Sequence, residues 1–182
     1  MGGNICNTLI ASFVTLYYTD NVGIAASVVG TMLLIARLFD AISDIVMGGI
    51  IDKTRTKWGQ ARPWFIVSII PFILSTILVF IVPENFGNTA KVIYMYVTYI
   101  FSGVICYTVN SLSAVSMQSL MTGDKKERMG LNASYQIFGF ISILAVNIIT
   151  SGLAQKLGWR NIAIVYAIIS AVILFITGLV CK

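Results

Sequence analysis

Histidine is absent from this 182-residue chain, and charged residues make up only 10% of it. Soluble domains carry about 25% charged residues, so the polar surface needed to cover a soluble globule is missing. The net charge of +5 does not indicate nucleic-acid binding, because the basic residues cluster in short loops between apolar runs, as in membrane topology. The composition therefore predicts an integral membrane protein that lies in a lipid bilayer.

The same scarcity argues against an enzyme. Without histidine there is no HExxH zinc motif, and the sequence contains no glycine-rich phosphate loop. The three cysteines, Cys6, Cys106 and Cys181, lie in apolar runs at spacings that suggest neither a metal site nor a disulfide framework. We therefore expect no catalysis and no cofactor, and we interpret the cysteines as small buried residues.

Hydrophobic residues, by contrast, are abundant and continuous: they make up 58% of the chain, and the mean hydropathy is +0.90. A helix that crosses a bilayer needs about 20 apolar residues. Continuous rather than alternating hydrophobicity favours helices over barrel strands. The predicted fold is all-α, with six transmembrane helices at about 4–19, 24–51, 64–82, 92–121, 131–154 and 162–181.

Loop charges predict the orientation. With six spans, the loops after the second and fourth spans share one side with the C-terminus, and that side carries eight cationic residues against three on the other. The eight are Lys53, Arg55, Lys57, Arg62, Lys125, Lys126, Arg128 and Lys182, and the three are Lys91, Lys156 and Arg160. Both termini are therefore expected in the cytoplasm, and the protein in the cytoplasmic membrane.

Three charges single out one face of the second span. Arg37, Asp40 and Asp44 are spaced three and four residues apart, so on a helix they lie on one side. Each such charge costs about 2.5–3.5 kcal/mol on insertion scales and is expected to face the bundle interior or a water-filled cavity. Two carboxylates one turn apart attract a hard cation such as Na⁺, which prefers oxygen ligands.

Two other interpretations of this face stay open. One carboxylate could hold a proton instead, because burial and a neighbouring like charge both favour the neutral acid. Alternatively, Arg37 and Asp40 could form an ion pair that only stabilises the bundle. That ion pair would leave Asp44 without an explanation.

Five motifs follow one another along the chain: LYYTDNVG (16–23), GTMLLIARLFDAISD (30–44), MGGIIDKTRTKWGQARPW (47–64), YTVN (107–110) and GDKKER (123–128). In this order they resemble the glycoside–pentoside–hexuronide:cation symporter family of melibiose permease-like proteins, a branch of the major facilitator superfamily. The second and third motifs together are the most specific.

The resemblance implies a twelve-helix transporter made of two six-helix halves, of which this chain would be the N-terminal half. The first span begins almost at Met1, so we also expect the true start to be missing. Such transporters carry a sugar or glycoside together with Na⁺ or H⁺ by alternating access. Asp40, Asp44 and Thr108 are the implied cation ligands, with Arg37 as their electrostatic partner.

The loop that follows the second span changes character abruptly. Asp52, Arg55, Gly59 and Arg62 belong to the dense run DKTRTKWGQARPW at 52–64. Positive charge on the cytoplasmic side explains the lysines and arginines but not their combination with Asp52, Gly59 and Pro63. We expect a shaped turn here and, given the resemblance, a gate on the cytoplasmic side.

The sugar-facing positions depart from the family pattern. Counted along the motifs, the family's helix-one acid falls on Asn4, its helix-four acid on Ser111 and its helix-five arginine on Gln136, while Asn110 neighbours the second of these. Amides and hydroxyls can still bind sugar hydroxyls, so these four residues are candidate substrate contacts, although the substrate need not be a galactoside. Hydrogen bonding between packed helices is the alternative role for each.

Two classes of function follow. In the first, the chain is half of a symporter, and its partners are a sugar or glycoside and a second six-helix half from a C-terminal domain or another chain. In the second, the chain is a truncated or self-pairing membrane protein that does not transport and serves as a scaffold or binding partner.

Overall fold

The computed structural model describes residues 2–57, 59–83, 87–120 and 124–180; Trp58, Cys181 and Lys182 lie outside the described residues. Its α-helical segments are α1 (Gly2–Leu16), α2 (Ala26–Lys53), α3 (Arg62–Val79), α4 (Asn88–Ile100), α5 (Thr108–Leu120), α6 (Lys125–Leu157) and α7 (Trp159–Val180). Two π-helical segments continue them: π1 (Tyr17–Asn21) extends α1, and π2 (Phe101–Tyr107) joins α4 to α5. The described chain thus forms six continuous rods at the predicted positions, which confirms the all-α prediction.

Several helices run beyond the apolar segments that predicted them. For example, α6 begins at Lys125 rather than near residue 131. The Asp124 carboxylate accepts a hydrogen bond from the Lys126 amide at 3.0 Å, and this cap allows the helix to start in polar sequence. The apolar length marks the part of a helix that lipid can cover, whereas the helix ends where its backbone groups find other partners.

Four helices of the described chain are long and apolar enough to cross a membrane: Arg62–Val79, Asn88–Ser119, Lys126–Ala154 and Trp159–Gly178. They correspond to the third, fourth, fifth and sixth predicted spans. The 15-residue α1 and the charged α2 are not among them. The total of six membrane spans therefore stays a prediction.

An aromatic cluster joins the rods at one end of the bundle. The Tyr17 hydroxyl donates to the Phe80 carbonyl at 3.0 Å, and the Tyr18 hydroxyl donates to the Val79 carbonyl at 2.9 Å. Both bonds satisfy carbonyls that the end of α3 leaves without intrahelical partners. The Trp159 ring stacks on Phe80, with centroids 6.4 Å apart. The ends of π1 and α3 therefore meet the start of α7.

The opposite end holds the starts of α1 and α3. Arg62 donates from Nε and Nη2 to the Gly178 carbonyl of α7, at 3.3 and 3.2 Å. The Ser170 hydroxyl, also in α7, donates to the Gly2 carbonyl at 2.5 Å. A Cβ at Gly2 would lie 2.9 Å from Leu174 Cγ, so this close contact between α1 and α7 depends on a residue without a side chain.

The second rod runs parallel to the fourth. The Thr31 hydroxyl lies 3.0 Å from the Tyr96 hydroxyl, and further along both rods Ser43 Oγ donates to the Val104 carbonyl at 2.8 Å. Because both contacts advance in the same direction, the loops that follow α2 and α5 lie at the same end of the bundle. This geometry agrees with the predicted topology, while the side of the membrane stays a prediction.

Cys6 and Cys106 are free thiols in the bundle interior. Both belong to a buried cluster with Phe65, Ile69 and Phe72, from α3. Free cysteine packs like a small hydrophobic residue, which is the role that the sequence predicted for these two positions.

Two fully buried serines differ in their hydrogen bonding, which leads to a stability prediction. Ser170 donates to the Gly2 carbonyl, whereas Ser113 Oγ has no partner within the described residues. An unsatisfied buried polar group costs about 1–3 kcal/mol. We expect Ser113→Ala to raise the unfolding temperature of the detergent-solubilised protein and Ser170→Ala to lower it. Shifts of the same sign in a thermal unfolding assay would contradict this assignment.

Candidate functional site

Arg37, Asp40 and Asp44 lie along one face of α2. Arg37 Nη1 is 3.6 Å from Asp40 Oδ2, and these side chains are 76% and 30% exposed. Asp44 is exposed and has neither an ion pair nor a hydrogen bond within the described part of the chain. The structure therefore contains the Arg37–Asp40 ion pair that the sequence left open, and beside it an acid that this pair does not neutralise.

Ser43, between the two acids, anchors this face to the fourth rod. Its hydroxyl donates to the Val104 carbonyl of π2. Thr108 begins α5 one turn further on and is 4% exposed. Val109 packs against the buried cluster that Met47 and Ile51 of α2 form with Ala61, so the rod that carries Thr108 follows α2 closely. π-helical turns occur frequently at functional sites, and this one lies directly against the acid-bearing face.

A cavity of about 330 Å³ lies at the end of the bundle where α1 and α3 begin. Its lining residues come from α1, α3, π2, α5, α6 and α7. They are Gly3, Asn4, Phe65, Tyr107, Asn110, Ser111, Ala114, Met117, Gln118, Leu131, Tyr135, Ile173, Leu174 and Thr177.

Three of the four predicted substrate contacts line this cavity: Asn4, Asn110 and Ser111. Gln136 does not line it and is exposed on α6, whereas the preceding Tyr135 does. The structure thus brings the helix-one and helix-four positions together and leaves the helix-five position outside.

Asn110 makes the interhelical hydrogen bond that the sequence left as an alternative role. It is 2% exposed, and its Nδ2 donates to Ser68 Oγ at 3.1 Å. Since the Ser68 hydroxyl donates its own proton to the Phe65 carbonyl at 2.8 Å, its oxygen can only accept from Asn110. This settles the orientation of the amide: Nδ2 faces Ser68, and Oδ1 faces Gly3, where an added Cβ would lie 2.8 Å away.

Two tyrosines complete the polar lining, and the sequence interpretation missed both. The Tyr135 hydroxyl lies beside Asn4. The Tyr107 hydroxyl lies beside Ser111 and within electrostatic reach of Asp40 and Arg37. Tyr107 is therefore a lining residue on the side of the cavity that is nearer to the charged face of α2. Tyr107 could have been found from the sequence because it is the first residue of the YTVN motif. Tyr135 could have been found because it is adjacent to the predicted contact Gln136.

The loop after α2 is a defined turn. The Gly59 amide donates to the Thr56 carbonyl at 3.1 Å. Gly59 has a φ of +98°, a conformation that favours glycine. Trp64 Nε1 donates to Thr54 Oγ1 at 2.9 Å, which ties the start of α3 to the end of α2. Asp52 and the predicted gate residue Arg55 are exposed at this turn, while Arg62 contacts α7 as described above.

Comparison with known proteins agrees with the motifs. Residues 1–182 match the family model described as MFS/sugar transport protein. An isoprimeverose transporter of Lactiplantibacillus pentosus is 34% identical over 182 residues, which cover 95% of this chain and 38% of that protein. The glucuronide carrier protein homolog of Escherichia coli K12 is 32% identical over 146 residues, 80% of this chain and 32% of the carrier.

A putative glycoside/cation symporter of Escherichia coli K12, YagG, is 37% identical over 141 residues, 78% of this chain and 29% of that protein. The chain therefore belongs to the glycoside–pentoside–hexuronide:cation symporter family of the major facilitator superfamily. Members of this family are membrane transporters and not enzymes. The chain spans about a third of the length of these relatives.

Proposed function

We propose that this chain is the N-terminal six-helix half of a cation-coupled sugar symporter in the cytoplasmic membrane. The observation that carries the proposal is that one continuous rod, α4–π2–α5, contributes to both candidate sites. Val104 on this rod binds Ser43 between the two acids of α2. Within the next two turns, Tyr107, Asn110 and Ser111 line the cavity.

The cavity supports a sugar as cargo. Amides and hydroxyls both donate and accept hydrogen bonds, which suits the many hydroxyls of a carbohydrate. Aromatic walls at Phe65, Tyr107 and Tyr135 cover the apolar faces of a ring. Two of the relatives are named as an isoprimeverose transporter and a putative glycoside/cation symporter, and both names point to the same class of cargo.

In the proposed mechanism, Na⁺ or H⁺ joins Asp40 and Asp44 from outside, with the Thr108 hydroxyl as a further oxygen ligand. The ion reduces the repulsion between the carboxylates and favours the state that binds sugar. The sugar must then favour the ion by the same factor, because coupling between two binding sites is reciprocal. Both ligands leave on the cytoplasmic side as the two halves rock, since each binds one state better than the other.

The turn between α2 and α3 acts as the cytoplasmic gate in this proposal. Asp52 and Arg55 present opposite charges there, Gly59 shapes the turn, and Arg62 joins it to the α7 carbonyl at Gly178. Contacts of this kind at one end of a bundle can hold one access state closed.

In this proposal both chain termini are on the same side of the membrane as the gate, the cytoplasmic side.

A second six-helix half completes the transporter. Apolar residues of α2 such as Leu38, Ile42 and Ile45 are more than half exposed, as is Phe140 of α6. These faces contact lipid or the second half, which is either a C-terminal domain of the same protein or another copy of the chain.

The test is uptake of labelled glycosides into proteoliposomes, with and without a Na⁺ or proton gradient. It compares the chain alone with the chain supplied with a second six-helix half. We expect gradient-stimulated uptake in the second case. Stimulated uptake by the chain alone would favour self-pairing, and the absence of uptake in both cases would favour a scaffold that does not transport.

A further inference from the structure

The cavity contains no charged side chain among its described lining residues. Its polar groups are amides and hydroxyls, from Asn4, Asn110, Ser111, Gln118, Thr177 and the two tyrosines. The relatives include both an isoprimeverose transporter and a glucuronide carrier homolog, so family membership leaves the charge of the cargo open.

The geometry points to an uncharged glycoside, with pentose or hexose rings, as the ligand of this cavity, in preference to a hexuronide. This inference rests on the proposed function and names the substrate class of the same site. An ionised carboxylate is costly to bury unless it is paired and hydrogen-bonded. A neutral hydroxymethyl group at the same ring position needs only the hydrogen bonds that amides and hydroxyls supply.

The orientation of Asn110 is the strongest argument. One N–H of Nδ2 donates to Ser68 Oγ, and the Ser68 hydroxyl donates to the Phe65 carbonyl. Asn110 therefore presents its carbonyl oxygen on the side of Gly3, which lines the cavity. An oxygen acceptor binds a sugar hydroxyl, which donates, and repels a carboxylate, which in its ionised form only accepts.

Two arginines on elements that approach the cavity are engaged elsewhere. Arg62 lies one turn before the lining residue Phe65 and donates from two nitrogens to the Gly178 carbonyl. Arg37, on the other side, is paired with Asp40. Neither guanidinium lines the cavity, and no cationic side chain is among its described lining residues, so a carboxylate bound there would lack a cationic partner within this lining.

The size of the cavity agrees with a small sugar. Ligand pockets for small molecules measure about 300–1,000 Å³, and this one, at about 330 Å³, lies at the lower end of that range. The part of the site that this half contributes is therefore already large enough for a small-molecule ligand.

The test compares matched pairs of p-nitrophenyl glycosides, using the chain reconstituted with a second six-helix half. Glucoside is paired with glucuronide and galactoside with galacturonide, and a xyloside serves as the neutral probe without the sixth carbon. We expect the neutral member of an accepted pair to be taken up at least about tenfold better. Equal or better uptake of the uronides would overturn the inference and leave symport standing. Uptake of none of the probes would instead overturn the proposed function.

A positive charge introduced into the cavity tests whether the sugar binds there. Gln118→Arg adds a guanidinium to the lining, and Asn132→Arg makes the same type of change at an exposed position of α6 outside it. We expect Gln118→Arg to raise uronide uptake relative to neutral glycoside and Asn132→Arg to leave the ratio unchanged. If Gln118→Arg still transports the neutral glycoside with an unchanged ratio, the sugar does not bind in this cavity.

Discussion

Asp44→Asn is expected to abolish cation-stimulated uptake while the protein still inserts into the membrane. When all three groups are ionised, Arg37, Asp40 and Asp44 carry a net charge of −1, because Arg37 offsets one acid. The substitution removes the negative charge of Asp44, which the Arg37–Asp40 pair does not neutralise, and it retains the shape of the side chain. A hydrogen-bond-like contact to a charged group contributes about 1.5–3 kcal/mol, so losing it corresponds to at least about a tenfold loss of cation affinity.

Arg37→Gln provides the matched change of opposite sign. It leaves both carboxylates and a net charge of −2 on this face, so we expect cation affinity to rise rather than fall. The measurement is sugar uptake as a function of Na⁺ concentration and of pH, with Asp20→Asn at the far end of π1 as a control for loss of an exposed acid. An unchanged dependence on both Na⁺ and pH in Asp44→Asn would refute a cation-binding role for this face.

The helix positions could be predicted because a bilayer imposes a strong rule on sequence. Backbone groups in lipid must be satisfied within the segment, and the side chains must be apolar. The helix ends were less accessible, since a local cap such as Asp124 decides where α6 starts. The spacing of Arg37, Asp40 and Asp44 also places them on one face without knowledge of the fold, because helical periodicity alone determines it.

The rotation of the fifth rod (α6) about its own axis, which decides which of its side chains face the cavity, was not predictable. Neighbouring residues on a helix differ by about 100° in direction, so a count along motifs cannot decide whether Tyr135 or Gln136 faces the cavity. Packing of α6 against α1 decides it, as the contact between Tyr135 and Asn4 shows. The contact between π2 and Ser43 could not be predicted either, because it joins two rods that are distant in the sequence.

The hydrogen bonding of Asn110 was also beyond the sequence. The YTVN motif marks the residue as polar and buried in a span, but Ser68 is 42 positions away in the chain. Only the fold shows that Ser68 accepts from one N–H of the amide, which leaves the Asn110 carbonyl oxygen towards Gly3. The chemical preference inferred for the cavity therefore depends on a contact between α3 and α5 rather than on a motif.

Gly3→Ala is expected to weaken sugar binding and to leave cation dependence intact. The new methyl would lie 2.8 Å from Asn110 Oδ1, closer than real Cβ contacts allow, so the amide must move and strain its 3.1 Å bond to Ser68. Inserting a methyl group into a packed site costs about 1–3 kcal/mol, which corresponds to a rise in KM of up to about a hundredfold. The expected result is a higher KM for the sugar with an unchanged Na⁺ or pH optimum.

Gly152→Ala is the matched control, because an added Cβ at that helical glycine meets no atom of the described residues within 4 Å. Gly152 lies in the interior of α6, where the substitution favours the helix by about 0.8–1.0 kcal/mol through backbone propensity, so a loss seen only in Gly3→Ala reports the clash. We expect Gly152→Ala to preserve KM and to keep or raise the unfolding temperature. Equal KM values for the two variants would contradict the close approach at Gly3.

A double-mutant cycle with Asn110→Ala identifies the partner in the clash. Removing the Asn110 amide removes the atom that the new methyl meets, so Gly3→Ala should cost less in that background than in the native one. Residues in contact show coupling energies of about 0.5–3 kcal/mol, whereas independent sites add within about 0.5 kcal/mol. The unfolding free energy in detergent is the better quantity for the cycle, because Asn110→Ala itself is expected to weaken uptake. Additive costs would mean that the methyl acts on another neighbour, and the orientation argument for an uncharged sugar would lose its structural basis.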